Sequence, residues 1–450
     1  MEPQNKNLVK KTISLDKQYV FPKDIRYIRF ENVIITIAVN TANWIILEND
    51  NQLHFFKLLF NNNLGDALKV FDGPQDDAVK VVRQIEAKNF ENTQITKDSG
   101  GNPNFHFYLT NKCNLKCPHC YMFSGAKEDK ELTTEEILNI LTKISKYQYE
   151  RVIFSGGEIT TRNDLYEIVN HAHNLGLKIQ LLTNGTLWSE ELIKKIAPII
   201  DEIQISIDGF SEKENAKIRG VNSFEKSLNT IEKFVQAGVF TEVGITPFYD
   251  NELKNKINEY AEFGKQLINK FGTSNFRVRF SVELLDGRDI TLTDEEREEY
   301  SKIINKIYSL YYGETIDDYP FIKMRKEKRI MDNCTYGGIN ISSEGNVYLC
   351  SRIPSLKPIG NIKNDNLDKI IHLSKRAQNL SHIDNLRPCC DCELKYICGG
   401  GCRITYFPDL TTCNNIESIT KEDIRPRKCT KKYKEDFYRL LIRTNERIFQ

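Results

Sequence analysis

The sequence predicts an α/β protein built on a partial (β/α)6 barrel, with a small domain before it and a cysteine-rich domain after it. Two observations carry that expectation. Strand-like and helix-like stretches alternate from Phe105 to about Glu283, and such alternation implies a parallel sheet with right-handed crossovers. Twelve cysteines fall in two regions only, three at 113–120 and nine between Cys334 and Cys429. Packing cysteines would be scattered, whereas clustering of this kind marks metal ligation.

Taken in order, residues 18–98 read as a winged-helix-like domain. Asn32–Val39 and Asn43–Leu47 are rich in β-branched residues and predict a hairpin. Residues 51–60 and 78–85 have helical spacing. Asp98–Asn104, with Ser, Gly, Asn and Pro, reads as a linker. The barrel is expected over 105–320. Its strands are Phe105–Leu109, Arg151–Phe154, Lys178–Leu182, Glu202–Ile207, Glu242–Thr246 and Phe276–Val282. A capping box, Thr133 to Glu136, opens its first helix. Thr291–Tyr312 reads as a polar helix and Lys323–Arg329 as a solvated basic run. Residues 330–450 are turn-rich and stapled by cysteines, with a helix from Lys431 to Ile442 near the end.

A barrel of this kind keeps its chemistry at the C-terminal strand ends, and polar residues collect there. Cys113, Cys117 and Cys120 follow the first strand at spacings of three and two residues. Three thiols so placed hold three corners of an iron–sulfur cluster and leave the fourth iron open. With a fourth ligand such as His119 they would make a zinc knot instead. The second strand ends in Ser155-Gly156-Gly157-Glu158, where two glycines permit close backbone approach and a carboxylate can accept from an ammonium group. The third ends in Thr183-Asn184-Gly185. The fourth carries Ser206 and Asp208, two apart on one strand face and suited to ribose hydroxyls. Each tip alone also reads as an ordinary strand-to-helix cap; together they surround one mouth.

Over roughly residues 105–285 the chain resembles the radical S-adenosylmethionine (SAM) superfamily. The resemblance implies that Cys113, Cys117 and Cys120 hold a SAM-binding 4Fe–4S cluster and that Tyr121 packs near the adenine. Gly156, Gly157 and Glu158 resemble the segment that holds the methionine amino group, and Ser206 and Asp208 the ribose-contacting strand. Arg219 resembles the arginine that pairs with the SAM carboxylate. Asn184, on the tip between them, is counted with these cofactor-binding candidates. The C-terminal cysteines resemble the SPASM domain, which implies two auxiliary 4Fe–4S clusters and so three in all. On that resemblance Cys334, Cys350 and Cys402 belong to the first, and Cys389, Cys392, Cys398 and Cys429 to the second. Two zinc ions are the alternative occupants. No cysteine stands between Cys334 and Cys350, which implies an open iron in the first auxiliary cluster. Cys390 has no place in the pattern, and Cys413 competes with Cys429.

The 63 basic and 62 acidic residues leave a net charge of +1, without the basic excess of a nucleic-acid or membrane-surface protein. No apolar run approaches the ~20 residues of a membrane span, and the N-terminus lacks the apolar core of a signal peptide. The expectation is a cytoplasmic protein with no nucleic-acid or membrane partner.

The N-terminal domain resembles the recognition element of peptide-maturing enzymes, which captures the leader of a ribosomally made precursor by adding it as a strand. The combined resemblance implies a peptide maturase. It would cleave SAM reductively to a 5′-deoxyadenosyl radical, abstract hydrogen from a precursor residue and install an oxidative cross-link. The open auxiliary iron favours a cysteine thioether. A carbon–carbon cross-link, formylglycine formation and a non-catalytic metal-stapled regulator are the alternatives. Ser351 stands where sulfatase-maturing relatives have a catalytic aspartate, which weighs against formylglycine. A reductant such as flavodoxin or ferredoxin is implied as a partner. No residue is nominated as catalytic acid or base.

Overall fold

The computed structural model describes residues 12–91, 96–97, 104–126, 130–147, 149, 151–313, 329–412, 416–424 and 429–448. Cys413, the expected linker at 98–103 and the basic run at 323–328 lie outside the described residues.

The N-terminal region opens with an antiparallel sheet of β1 (Ile25–Phe30), β2 (Val33–Ala38) and β3 (Asn43–Leu47). Three helices follow: α1 (Asp50–Leu58), α2 (Leu64–Val70) and α3 (Gln75–Lys88). The expected hairpin is β2–β3, and β1 is a further strand. Alternation along β2 and β3 makes both faces apolar, so both need cover. Ile34, Ala38, Ile45 and Leu47 pack against Phe55, Phe56, Val81 and Ile85 of the helices. Ile35, Ile37, Trp44 and Ile46 pack against Leu394, Ile397 and Leu441 of the C-terminal region. The Trp44 indole N–H donates to the Leu441 carbonyl at 3.0 Å, which satisfies the one polar atom of a buried ring.

After the short strand β4 (Thr96–Lys97) come β5 (Asn104–Tyr108), β6 (Arg151–Ser155), β7 (Lys178–Thr183), β8 (Glu202–Ser206), β9 (Phe240–Ile245) and β10 (Phe276–Phe280). These six strands are parallel, neighbour to neighbour in sequence order. Between them run α4 (Thr134–Ile144), α5 (Leu165–Asn174), α6 (Glu190–Ile196), α7 (Glu212–Arg219), α8 (Ser223–Gln236) and α9 (Ile257–Phe271); α10 (Asp294–Tyr311) follows. The Thr133–Glu136 capping box is present in full.

Alternate strand residues, among them Phe105, Phe107, Phe154, Ile179, Leu181, Ile203, Val243, Val278 and Phe280, share one core with the helices. Each large apolar side chain buried there contributes roughly 1.5–3 kcal/mol. The helical layer therefore covers one face of the sheet, and residues of the other parity turn away from it. At the outer edge, the Tyr308 hydroxyl bonds both backbone groups of Phe280 at 2.9 Å, so α10 closes the free edge of β10.

β11 (Arg329–Ile330) pairs with β4. The sheet then gains three short strands beside β5: β12 (Ile339–Ile341), β13 (Asn346–Tyr348) and β14 (Gly360–Asn361). β12 runs parallel to β5, with Ile339 opposite Phe105. The full order is β10-β9-β8-β7-β6-β5-β12-β13-β14, so the cysteine-rich region is continuous with the main sheet. Two long helices, α11 (Leu367–Ser381) and α12 (Lys431–Ile448), complete it, with single helical turns between them at Lys395–Cys398, Arg403–Tyr406 and Pro408–Thr412.

Candidate metal and cofactor site

The loop from Thr110 to Gly125 leaves the end of β5 and carries Cys113, Cys117 and Cys120. Its neighbours hold it by backbone bonds. Gly157 N–H donates to Thr110 O and Glu158 N–H to Lys112 O, both at 2.8 Å, while Cys113 N–H donates to Gly125 O at 3.0 Å. The two glycines are needed for this approach. Gly156 has φ +150°, and a Cβ there would stand 2.5 Å from Thr110 O; at Gly157 it would stand 2.4 Å from Lys112 O. The glycines thus seat the cysteine loop.

Glu158, whose carboxylate was expected to receive an ammonium group, is engaged by the neighbouring strand tips. It is fully buried. It accepts from Thr160 N–H and Oγ1 at 3.1 and 2.7 Å, from Thr183 Oγ1 at 2.7 Å and from Asn184 N–H at 2.7 Å. Three of these donors meet Oε1 and one meets Oε2, which keeps a free acceptor position, and Glu158 thereby ties the tip of β6 to the tip of β7. Asn184 is likewise a tie: its side-chain N–H donates to Asn114 Oδ1 at 3.0 Å, inside the cysteine loop. Glu131, which the sequence reading did not single out, does the same from the far side. It accepts from Thr110 Oγ1 at 2.9 Å and Asn111 N–H at 2.8 Å.

Asp208 corrects an expectation. Ser206, half-buried, ends β8, but Asp208 lies past the strand and is fully buried. Its Oδ2 accepts from Arg219 Nε at 2.5 Å and faces His119 Nε2 at 3.2 Å, while Oδ1 accepts from Thr246 N–H at 3.0 Å. Burial alone would raise its pKa, but the Arg219 and His119 charges outweigh that and hold it at about 2. Asp208 is an anchor for Arg219 and His119, with little left for a ribose hydroxyl. Arg219, nearly buried, lies close enough to Cys117 and Cys113 to feel their charge. His119 is turned toward Asp208, with its other nitrogen, Nδ1, buried and unpaired. The loop after β10 closes over it. Gly287 packs on the His119 backbone, Asp289 N–H donates to Pro118 O at 2.8 Å, and Arg288 bonds Ser124 O.

The cysteines fall into three groups, judged by which thiols perturb one another. Cys113, Cys117 and Cys120 form one. Cys350 is coupled to Cys334 and Cys402, and Cys389 to Cys429, Cys398 and Cys392. Burial raises Cys113 to about 11 and Cys389 to about 12, and also raises Cys117, Cys350, Cys392 and Cys398, so a bare thiolate at these six is disfavoured unless a cation shares the site. Amide N–H groups already point at sulfur: Leu115 at Cys113, Tyr336 at Cys334 and Leu394 at Cys392, each at 3.4 Å. Arg403, fully buried, lies between the second and third groups and is coupled to Cys334, Cys389, Cys402 and Cys398. It donates to Ser381 O, Gly399 O and Gly401 O at 2.6–2.9 Å, and its Nη2 is buried without a partner. Gly399, Gly400 and Gly401 are all left-handed, and a Cβ at Gly399 would stand 2.6 Å from Met331 Cβ. Cys390 points to Asp391, apart from these groups.

Among the described residues no three His, Cys, Asp or Glu side chains close around a single metal ion, and the described cysteines form no disulfide. Sulfur donors, amide N–H groups aimed at them and an orphaned guanidinium N–H fit an anionic iron–sulfur group. Tyr121 joins the first sulfur group to the second. It is hydrogen-bonded to Tyr108, whose hydroxyl donates to Ser351 O at 2.8 Å, one residue from Cys350. Beside Cys350, Arg352 pairs with Glu283 in the loop after β10.

Residues 107–263 match the model of the radical SAM superfamily, and residues 333–393 that of the SPASM iron–sulfur cluster-binding domain. The chain carries both domains and is an enzyme of the radical SAM class. It is 25% identical over 343 residues to mycofactocin maturase MftC of Mycolicibacterium smegmatis, a match covering 71% of this chain and 85% of the relative. It is 28% identical over 322 residues to the AdoMet-dependent heme synthase of Methanosarcina barkeri, covering 66% and 89%. Its fold is similar to that of anSMEcpe with bound AdoMet and a Cp18Cys peptide, with TM-score 0.54 and 18% identity over 76% of this chain and 98% of the other. Among the described residues no helix is long and apolar enough to cross a membrane.

Proposed function

We propose that this enzyme is a peptide maturase that joins a cysteine sulfur of a precursor peptide to a carbon of the same peptide. The observation that carries the reading is the Cys120–Tyr121–Tyr108–Ser351–Cys350 connection, which links the first sulfur group to the second and supports a substrate bound between them. A substrate thiolate received at the Cys334, Cys350 and Cys402 group would lie next to the carbon being activated. The maturase MftC among the relatives supports a peptide substrate.

In this reading the sheet, with all its helices on one face, curls into a partial barrel around the substrate. Cys113, Cys117 and Cys120 hold one 4Fe–4S cluster; Cys334, Cys350 and Cys402 hold a second; Cys389, Cys392, Cys398 and Cys429 hold a third. Bound there, the reduced first cluster and SAM supply the hydrogen-abstracting chemistry, with an electron from a flavodoxin- or ferredoxin-like donor. The chain's part is positional. Gly156, Gly157 and Glu158 set the cysteine loop, Arg219 meets the SAM carboxylate, Ser206 lies at the ribose, and Tyr121 lines the adenine. Loop 286–289 shields the cysteines from water.

The N-terminal sheet is the proposed leader-binding unit. At β3 the Gln84 side chain already bonds both backbone groups of Ile46, at 2.9 and 2.5 Å, so a leader strand adds at β1. The heme synthase relative favours a second reading, a tetrapyrrole substrate. Co-expression with a cysteine-containing precursor peptide, followed by mass analysis, separates the two. Loss of two hydrogens with a blocked cysteine supports the thioether. An unmodified peptide in the presence of SAM cleavage rejects it.

A further inference from the structure

The face of the sheet turned away from the helices carries a charge cluster that none of the sulfur groups uses. Strand register sorts its residues into layers. Arg279 stands level with Gly244 and Ser206 at the rim, and Arg277 is level with Glu242 and Gln204 one layer deeper. On the far side of the sheet, Tyr108 and His106 occupy the same face, opposite Ser155 and Ile153.

Glu242, with 4% of its side chain exposed, accepts from Arg277 Nε at 2.6 Å and Arg279 Nε at 2.8 Å. Glu202, similarly buried, faces Arg151 at 3.2 Å and Arg277 at 3.5 Å. Gln204 Oε1 accepts from Arg279 Nη2 at 3.1 Å. Two carboxylates thus lie beneath three guanidinium groups, and Arg277 and Arg279 remain 51% and 47% exposed.

Three features make this more than a neutral staple. Cations outnumber anions by one. Burying carboxylates under arginines is no more stabilising than apolar packing of the same volume, so stability alone does not explain the cluster. Glu242 takes Arg277 through Nε and Nη2 and Arg279 through Nε, while Gln204 takes Arg279 Nη2, so each half-exposed guanidinium turns its Nη1 edge away from Glu242, where a further carboxylate can be met by a charge-assisted bond. Gly244 places no side chain between Ser206 and Arg279, and the Gln204 amide lies over it, 2.9 Å from where a Cβ would stand, so the arginines are bordered there by a neutral group and not by a further charge.

We propose that Arg277 and Arg279, held by Glu242, form a carboxylate-binding subsite for the substrate, level with the strand end that faces SAM. On a peptide substrate the carboxylate is an Asp or Glu side chain or a chain terminus. The subsite rests on the reading that substrate enters on this face of the sheet, but not on that substrate being a peptide.

The test uses full-length protein, anaerobically purified and reconstituted. Phenylglyoxal modification of Arg277 and Arg279 is followed by peptide mass spectrometry with and without tricarballylate. Protection of these two arginines is expected; unchanged modification overturns the proposal. In parallel, three fluorescein-labelled nonapeptides are compared by anisotropy: Glu-containing with an amidated C-terminus, its Gln counterpart, and the Gln peptide with a free C-terminus. A side-chain source makes only the first bind tightly, and a terminal source only the third. The preference over the neutral peptide is expected to be about tenfold, one charge-assisted pair, and Arg279→Gln should erase it while Arg279→Lys keeps part. Equal binding of all three peptides by wild-type protein overturns the subsite. Protection by tricarballylate with no peptide binding supports the subsite and rejects the peptide reading. A thermal melt of each variant separates loss of fold from loss of binding.

Discussion

The cysteine loop at 113–120 and the C-terminal cysteines both hold thiols half-buried and near one another, yet by opposite means. In the loop, order is imposed from outside. Gly157, Glu158 and Asn184 clamp it from two strand ends and Glu131 from the segment ahead of α4, and Arg219 brings a positive charge to the sulfurs, opposed by Asp208 and Glu158. In the C-terminal region the thiols are spread from Cys334 to Cys429 across turns and single helical turns. There Arg403 sits at the centre, bonding three carbonyls while its charge faces both sulfur groups. A rigid sheet can position ligands by geometry, whereas a turn-rich region needs a charge at its middle to make one arrangement preferred.

That contrast can be broken at either end. Cys117→Ser should remove iron from the first group alone and reduce SAM cleavage to background, with the melting temperature little changed because the clamps do not involve sulfur. Iron content and 5′-deoxyadenosine release measure both. Arg403→Met should act in the reverse sense. It leaves the carbonyls of Ser381, Gly399 and Gly401 unpaired, costs about 3 kcal/mol in urea unfolding, and loosens both C-terminal groups while SAM cleavage persists. Glu158→Gln swaps one acceptor for a donor facing Thr183 and Asn184. A loss of about 1–3 kcal/mol is expected, with SAM affinity falling through displacement of the cysteine loop, as read by calorimetry.

The smallest effect is a pH dependence. The Asp208 carboxyl lies at about 2 in the fold against an ordinary 3.8. A lowered carboxyl adds stability above the ordinary value and loses it as pH falls toward the folded one. Stability should therefore decline by about 2 kcal/mol between pH ~4 and ~2, and Asp208→Asn should flatten that slope in acid-unfolding curves.

The six parallel strands and the capping box at Thr133 were legible because period-two burial and helix caps are local signals. The pairing of β12 with β5 was not. Ile339–Ile341 is too short to show a period, and its partner lies in a distant part of the chain. Glu158 and Asp208 were legible as special residues, but the ties of Glu158 to Thr183 and Asn184 and of Asp208 to Arg219 were not. A carboxylate at a strand tip looks the same in sequence whether it faces a ligand or turns inward, and only burial with its donors decides. Arg403 had a faint signal, an arginine directly after Gly-Gly-Gly-Cys, whose meaning depends on contacts made by Ser381 and Cys334. Glu131 had none.

The alliance of β5 with β12 also bears on how the protein is made. On the ribosome Phe105 emerges long before Ile339, so one edge of the nascent sheet stays unpaired while the intervening strands and helices are synthesised. An open strand edge is a template for wrong partners, and distant pairings form late. Chains halted before residue 339 should therefore associate through β5, whereas chains halted after Ile341 should stay dispersed. The cysteine-rich region would then act on the main sheet as a late-arriving lock, before any metal reaches it.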